Sequence, residues 1–600
     1  MNDLLAYLAS FFSYNPEKPL LFTQIHFWVF LLVVYAGFSF IVTRRWRLTA
    51  RNAYLFAVSL LFYFKTSGLF VLLLVFSTML GWLLGIGMDR NLSQPRRKAM
   101  MATGVTINLL VLCYFKYAYF FTDIFNATFG TDLHIVTKIL LPVGISFFTF
   151  QNISYIVDVY KRRIAHVANP LDFGFYTSFF PQLVAGPILR ADQFVPQLYK
   201  PFFLGRRQFG MAVFWIINGL VKKLVLSDYL AVNFVDRIFD NPSLYTPFEN
   251  FSALILYSLQ VYADFSGYTD IAIGVAMLMG FYLPKNFNSP YKATNPTDFW
   301  RRWHMSLSRW LRDYLYIPLG GNRSSGVLSY TILAVILLIA AFRLHSLLFT
   351  LAVVAVIVTI ALLWMLRPTH RRTLGTNVNN MDTMLLGGLW HGSSFNFITW
   401  GGLNGIGILI YKWWSRQGWI GQLAALALTT ALLHLARAIW GGPLLTMLHV
   451  GFLVALVVFT VLALLPQSAR ATRRAQHVWS VTLTFVFISF TRLFFRSGSN
   501  LDPAEANEQA WQTASMMVTQ IGSHWNLAQI PTILGHYWAP FVVFAVGMVV
   551  HWLPERFKRR YRLAFATMPV WAIGAAAVAT VIVVYQFITA DLQPFIYFQF

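Results

Sequence analysis

Charge is scarce in this sequence. Only 11% of its 600 residues are Asp, Glu, Lys or Arg, against about 25% in a soluble globular protein. Acids are the scarcer sign, 22 against 46 Lys and Arg. A soluble core of this size would need helices with one polar face, and long stretches here have none. Cysteine is nearly absent: Cys113 stands alone in the apolar run NLLVLCYFKY, which excludes an internal disulfide and reads as a small core or lipid-facing hydrophobe. No G-x-S-x-G elbow, Walker loop or zinc-ligand Cys/His spacing occurs, so no metal site is expected.

The net charge of +24 would suggest nucleic acid in a soluble protein. Here the basic residues gather in short segments between apolar runs: Arg44–Arg51, Arg90–Lys98, Lys161–Arg163, Arg367–Arg372, Arg470–Arg474 and Arg556–Arg562. That is the pattern of cytoplasmic loops under the positive-inside rule. The expected partner is membrane lipid, with no nucleic acid.

What is abundant is hydrophobic sequence, 57% of the chain. Runs such as Ile25–Val42, Leu69–Gly87, Leu347–Leu366 and Val570–Thr589 are long enough to cross a hydrocarbon core of about 30 Å as helices. The reading is an all-α, polytopic membrane bundle of about 11–14 membrane segments. It forms one membrane-embedded domain over residues 1–600, with no soluble domain and no short-period repeat. The opening MNDLLAYLASFFSYNPEKPL has no basic start and no small-residue cleavage site, so Met1–Leu20 reads as a short interfacial helix. Leu141–Tyr160 is apolar but carries Pro142, Gly144, Asn152 and Ser154, which suits a re-entrant or interior segment. Residues 497–531 are the one long polar stretch, an extracytoplasmic surface segment with a helix beginning at Asp502–Pro503. Residues 532–600 add C-terminal spans.

Three constellations carry chemistry. The first is NPTDFWRRWHMSLSRWLRDYLYIPLGGNR, Asn295 to Arg323. Asn295, Pro296 and Asp298 predict a helix start. Trp300, Trp303, Leu307, Trp310 and Tyr314 recur at 3–4 spacing as one aromatic stripe. Arg302, Ser306, Arg309 and Asp313 follow on a second face, with His304 near the border. The bland reading is an interfacial helix with snorkelling arginines. The functional one is a funnel wall whose guanidinium groups hold an anionic substrate. The second constellation is LLGGLWHGSSFNFITWGGLNG, in which His391 is an ionisable group within apolar sequence and therefore a functional hypothesis. The glycines around it permit close helix packing and leave room for a substrate. The third is VYADFSGYTDIAIG, in which Asp264 and Asp270 are read as structural counter-ions to arginines such as Arg302 or Arg309.

FWRRWHMSLSRWLRDYLYIPLGGNR followed by LLGGLWHGSSFNFITWGGLNG resembles the signature of the membrane-bound O-acyltransferase family, in its alginate O-acetyltransferase-like branch. LPVGISFFTFQNISYIVDVY, FFPQLVAGPILR, VYADFSGYTDIAIG, NFNSPY and TRLFFRS are similar to the same branch. The resemblance implies a bundle around a funnel or tunnel, a catalytic His391 and a second functional histidine, His304. The reading places Arg301, Arg302, Arg309, Arg312, Asn322, Trp390 and Ser393 around substrate and donor, with Asp264, Asp270 and Asp313 as structural polar groups. One departure stands out. Residues 324–378 separate GGNR from LLGGLWHG where relatives have a short link, and they read as an inserted membrane hairpin.

The implied activity is acyl transfer, acetyl by the motif wording, from a cytoplasmic thioester such as acetyl-CoA toward hydroxyls of an extracytoplasmic polysaccharide. No bound cofactor is expected. A bacterial inner membrane and an exported acetyltransferase- or esterase-like partner follow from the same resemblance. The alternatives are a D-alanyl transferase for teichoic acid and, outside the family, a small-anion transporter, to which buried aspartates and broken helices are also suited.

Overall fold

Helices make up the architecture, and no strand occurs among the described residues of the computed structural model, which are 14, 20–44, 47–89, 93–135, 139–183, 186–344, 346–499, 501, 505–587 and 595. Those that frame the site are, in chain order, α1 (Ile25–Thr43), α2 (Leu48–Ser67), α3 (Val71–Asp89), α4 (Gln94–Phe129), α5 (Ile145–Tyr160), α6 (Arg206–Leu220), α7 (Pro247–Leu278), α8 (Pro296–Arg302), α9 (Met305–Leu311), α10 (Val327–Leu344), α11 (Leu347–Leu366), α12 (Arg371–His391), α13 (Phe395–Trp414), α14 (Trp419–Trp440), α15 (Pro443–Leu464), α16 (Arg470–Ser497), α17 (Ala506–Ile521), α18 (Trp538–Trp552), α19 (Glu555–Thr567) and α20 (Val570–Phe587). The interfacial helix expected in Met1–Leu20 lies almost wholly outside the described residues, and the helix start expected at Asp502–Pro503 lies outside them entirely.

Eight helical stretches among the described residues are long and apolar enough to cross a membrane, or up to ten if each of two bent pairs is one span. The protein is a polytopic all-α membrane protein with fewer plainly apolar spans than the 11–14 expected. The reason is physical. Helices such as α5 and α7 are buried on nearly every face, so their outer surface need not match lipid and they can carry Asn, Ser and Asp.

The central helix is α7. It starts at a capping box, in which the Thr246 side chain accepts from Glu249 N–H and Glu249 reaches back to Thr246, with Pro247 in the first turn. It crosses α6 at glycine. A Cβ on Gly219 would stand 2.5 Å from the Gly267 carbonyl oxygen, and one on Gly274 would stand 2.6 Å from that of Ala212. Small residues at a crossing bring backbones together, which is what dispersion needs in lipid, where burial between helices gains little.

Just past this crossing α6 passes into a π-helical stretch, Val221–Asp228. Lys222 Nζ lies 2.6 Å from Asp270, which also accepts from Asn218. Lys223 Nζ lies 2.6 Å from Asp264 and 2.8 Å from Asp228. The expected arginine partners of Asp264 and Asp270 are thus replaced by two consecutive lysines. The wider turn of a π-helix lets both reach α7. Breaking such a buried pair from one side leaves an uncompensated charge, at about 3–5 kcal/mol.

Residues 324–378, expected as a membrane hairpin, contain α10 and α11. α10 packs on α12 and α4, while α11 turns Leu347, Leu351, Leu362 and Leu366 outward. The C-terminal helices tie down the turn that leads into α8. Tyr291 N–H donates to His551 Nε2 at 3.1 Å, Trp552 Nε1 donates to the Tyr291 carbonyl at 3.1 Å, and Lys558 Nζ donates to Ser289 Oγ at 2.9 Å.

Gly219→Leu is expected to destabilise the detergent-solubilised protein by about 1–3 kcal/mol, as overpacking does, or to prevent assembly. Gly574→Leu, at a helix position with open space around it, should leave the thermal midpoint unchanged. Equal midpoints for the two variants would contradict the close α6–α7 crossing.

Candidate active site

The stripe Trp300–Tyr314 does not lie on one helix. Asn295 and Pro296 open α8 as expected, with the Asn295 side chain accepting from Asp298 N–H at 2.8 Å. The helix then stops at Arg302 and a second begins at Met305. Between them His304 holds φ +42°, a left-handed conformation that costs a non-glycine residue of order 1–3 kcal/mol and persists only where its surroundings impose it. They do so through the Asn286–Asn288 segment. Met305 N–H donates to the Asn286 carbonyl and Asn288 N–H to the Arg302 carbonyl, each at 2.9 Å. The Asn286 side-chain oxygen accepts from Ser306 N–H at 3.0 Å and Ser306 Oγ at 2.9 Å, and lies 3.3 Å from His304 Nδ1. The break drives the His304 ring into the interior, where it is 0% exposed and packs edge-on against Phe265 at 4.7 Å.

His391 also sits where a helix stops, as the last residue of α12. α12 and α13 meet at Gly388 and Gly401, where an added Cβ would overlap the carbonyl oxygens of Phe397 and Met384 respectively. The last carbonyls of a helix lack intrahelical donors, and here distant side chains supply them. Tyr117 Oη donates to the Leu389 carbonyl at 2.7 Å, and Lys116 Nζ to the Trp390 and His391 carbonyls at 2.7 and 3.2 Å. On the far side of the turn, Phe395 N–H donates to Asn507 Oδ1 at 2.8 Å, and Asn396 Nδ2 donates to Ser497 Oγ and the Ala510 carbonyl. Asn507 and Ala510 belong to α17, whose alanine face is buried. The segment read as surface thus helps to hold the loop after His391.

The two imidazoles lie on Trp390. Its ring centroid is 4.9 Å from that of His391 and 6.0 Å from that of His304, both edge-to-face. Trp400 and Phe495 close the His391 ring at 4.9 and 5.4 Å, leaving it 3% exposed. Phe150 stacks on Trp390 and on Trp310. The result is two buried imidazoles packed among aromatic rings, surroundings that exclude bulk water.

The expected arginines divide differently. The break puts Arg301 and Arg302 on α8, and Arg309 and Arg312 on α9 and the π-turn that follows it. Arg302 Nε is 2.9 Å from Asp298 and Arg312 Nε is 2.7 Å from Asp313. Arg309 Nε donates to the Met305 carbonyl, and Arg301 is exposed. Asp313 also takes Arg190 at 2.6 Å. Burial raises its carboxyl, but the hydrogen bonds from Arg312 and Arg190 outweigh that and hold it below the usual carboxylate range. Asn322 is exposed, with its side chain accepting from Tyr316 and its carbonyl accepting from Arg372. Ser393 is half-buried in the turn after His391. The structure therefore gathers His304, His391 and Trp390, and leaves Asn322 and Arg301 at the surface.

Residues the sequence reading passed over stand closer to the histidines: Lys116, Tyr117, Asn286, Arg492 and Phe495. Lys116 had a signal, since a lysine within an apolar span is a functional hypothesis by itself.

Residues 100–382 match the family model for MBOAT, membrane-bound O-acyltransferase family. The match contains His304 and ends before His391. The chain is 35% identical over 403 residues to a probable alginate O-acetylase of Azotobacter vinelandii, covering 66% of this chain and 69% of that protein. It is 32% identical over 436 residues to a peptidoglycan O-acetyltransferase of Helicobacter pylori, covering 68% and 73%. To a teichoic acid D-alanyltransferase of Bacillus subtilis it is 31% identical over 182 residues, covering 29% and 45%.

Lys116→Met removes the donor to two carbonyls at once and is expected to lower stability by about 1–3 kcal/mol. Tyr117→Phe removes one bond and should cost about 1 kcal/mol. Unfolding in detergent measures both, and a Lys116→Met protein as stable as the parent would contradict the capping role.

Proposed function

The chain belongs to the membrane-bound O-acyltransferase family and is an O-acyltransferase, and from that premise we propose that it carries an acetyl group from a cytoplasmic thioester, acetyl-CoA, toward hydroxyls of a polysaccharide outside the bacterial inner membrane. Enzyme membership displaces the transporter alternative. The observation that carries the reading is the burial of His304 and His391 on one tryptophan, at two helix breaks. Alginate and peptidoglycan in the names of two relatives support a polysaccharide acceptor. The D-alanyl transferase relative matches a much smaller part of this chain, so the acetyl reading is preferred.

In this reading His391 takes the hydroxyl proton as the oxygen attacks the thioester carbonyl, and returns it to the departing thiolate. A neutral imidazole suits the role, since it keeps one unprotonated ring nitrogen to accept that proton. His304, fixed through Asn286, orients the substrates. General base catalysis contributes about 10²–10⁴-fold. The rest comes from holding thioester and hydroxyl together beside aromatic rings that keep water from hydrolysing the donor. The arginines on α8 and α9 are candidates for the phosphates of the donor where it enters from the cytoplasm. Acetyl groups reaching the outer face are finished onto polymer by an exported acetyltransferase- or esterase-like partner.

His391→Ala is expected to insert, fold and elute as the parent does, with acetyl transfer from acetyl-CoA lowered at least about 100-fold. His304→Gln should lower it less. Near-parental turnover in the folded His391→Ala protein would sink the assignment.

A further inference from the structure

Six Lys and Arg side chains are buried among the described residues: Arg51, Arg97, Lys116, Lys223, Arg492 and Arg496. Five have polar partners. Arg51 donates to the Leu198 and Lys200 carbonyls and Arg97 to those of Val159 and Tyr160. Lys116 caps α12, Lys223 meets Asp264 and Asp228, and Arg496 meets Asp236. The sixth, Arg492, is 2% exposed, makes no ion pair with a described residue, and has a buried Nε without a hydrogen bond. A buried guanidinium without a counter-charge is unfavourable, so its retention calls for an anion that comes and goes.

Its position says which anion. The guanidinium carbon lies 4.2 Å from the centre of the Trp303 ring and 6.0 Å from that of Tyr291, so stacking fixes its plane. Trp303 immediately precedes His304. One turn along α16 from Arg492, Phe495 packs on His391. The free guanidinium thus sits between the two histidine-bearing segments, deeper than the surface-facing Arg301.

We propose that Arg492 receives the negative charge that develops on the carbonyl oxygen of the acyl donor. This rests on the reading of His391 as the base. The acceptor hydroxyl oxygen forms a bond to the carbonyl carbon while its proton passes to His391. The carbonyl π pair moves onto oxygen, facing the planar N–H donors of Arg492. The pair then returns, the C–S bond breaks with its electrons going to sulfur, and the thiolate takes the proton from His391. Donors fixed before the charge appears need no reorganisation when it does, and Trp303 supplies that rigidity. Arg492 is in this sense a catalytic residue, since it touches a reacting atom.

The test uses the full-length protein in detergent or nanodiscs, with acetyl-CoA as donor and an oligosaccharide as acceptor. Arg492→Gln is expected to lower kcat about 100- to 1000-fold with the KM for acetyl-CoA within about threefold of the parent, the pattern of an interaction made only in the transition state. Added guanidinium ion should restore part of the activity of Arg492→Ala, which a purely structural arginine would not allow. An Arg492→Gln protein with kcat within about threefold of the parent overturns the proposal. So does a raised KM with kcat unchanged, which would make Arg492 a ground-state anion site. Should Arg492→Gln not fold, Arg492→Lys keeps the charge and stem and is expected to run at least about tenfold slower, since an ammonium lacks the planar pair of donors; parental kcat there overturns it equally. His391→Ala measured alongside separates the failures. If it is inactive while the Arg492 variants are not, only the Arg492 inference falls; if it too is active, the base reading falls with it.

Discussion

Hydrocarbon offers no hydrogen bonds, so wherever a helix stops inside a membrane bundle the protein must itself satisfy the backbone groups that are released. Both histidines of this O-acyltransferase stand at such stops. At His304 the chain breaks between α8 and α9, and the Asn286–Asn288 segment takes up the freed groups. At His391 α12 ends, and Lys116 and Tyr117 from α4 take up its last carbonyls. A histidine in mid-helix would be one side chain among many on a face. At a helix end whose backbone is pinned from another helix, its ring is placed by the whole bundle. The helix α17 and the C-terminal helices bear on the loop after His391 and on the turn that leads into α8.

The second constraint is the shortage of acid. With 22 Asp and Glu for 46 Lys and Arg, several buried or half-buried acids are placed against particular cations. Asp264 and Asp270 hold Lys223 and Lys222, Asp236 holds Arg496, and Asp313 holds Arg190 and Arg312. Against that background the arginine on Trp303 stands out. Packing and electrostatics here point to the same place: the aromatic rings that exclude water around the histidines also make charge there costly, and so make a fixed charge effective.

Much of the fold was legible in the sequence, and the reasons are local. Apolar runs announced the spans. Asn295–Pro296–Asp298 announced the start of α8, because an N-cap and an N1 proline are properties of a few adjacent residues. Glycines in LLGGLWHGSSFNFITWGG announced a close crossing, which Gly388 and Gly401 make. The break at His304 was not legible. The 3–4 spacing of Trp300, Trp303, Leu307, Trp310 and Tyr314 runs through it unchanged, and its cause, Asn286, lies outside the helix it interrupts. The lysine partners of Asp264 and Asp270 were hidden by a π-helical stretch that no periodicity reports. Lys116 and Arg492 were visible as charges in apolar sequence, but only the three-dimensional arrangement tells that Lys116 caps a helix and that Arg492 makes no ion pair with a described residue.

In the proposed reaction thioester and hydroxyl meet at His391, beside Trp390. A cryo-EM structure of the protein with a non-transferable ketone analogue of acetyl-CoA addresses it directly. The carbonyl carbon is expected within about 3–4 Å of where a hydroxyl held by His391 would place its oxygen, with the carbonyl oxygen turned toward Arg492. An acyl group seated instead against Arg301 and Arg302 of α8, away from His304 and His391, would contradict it.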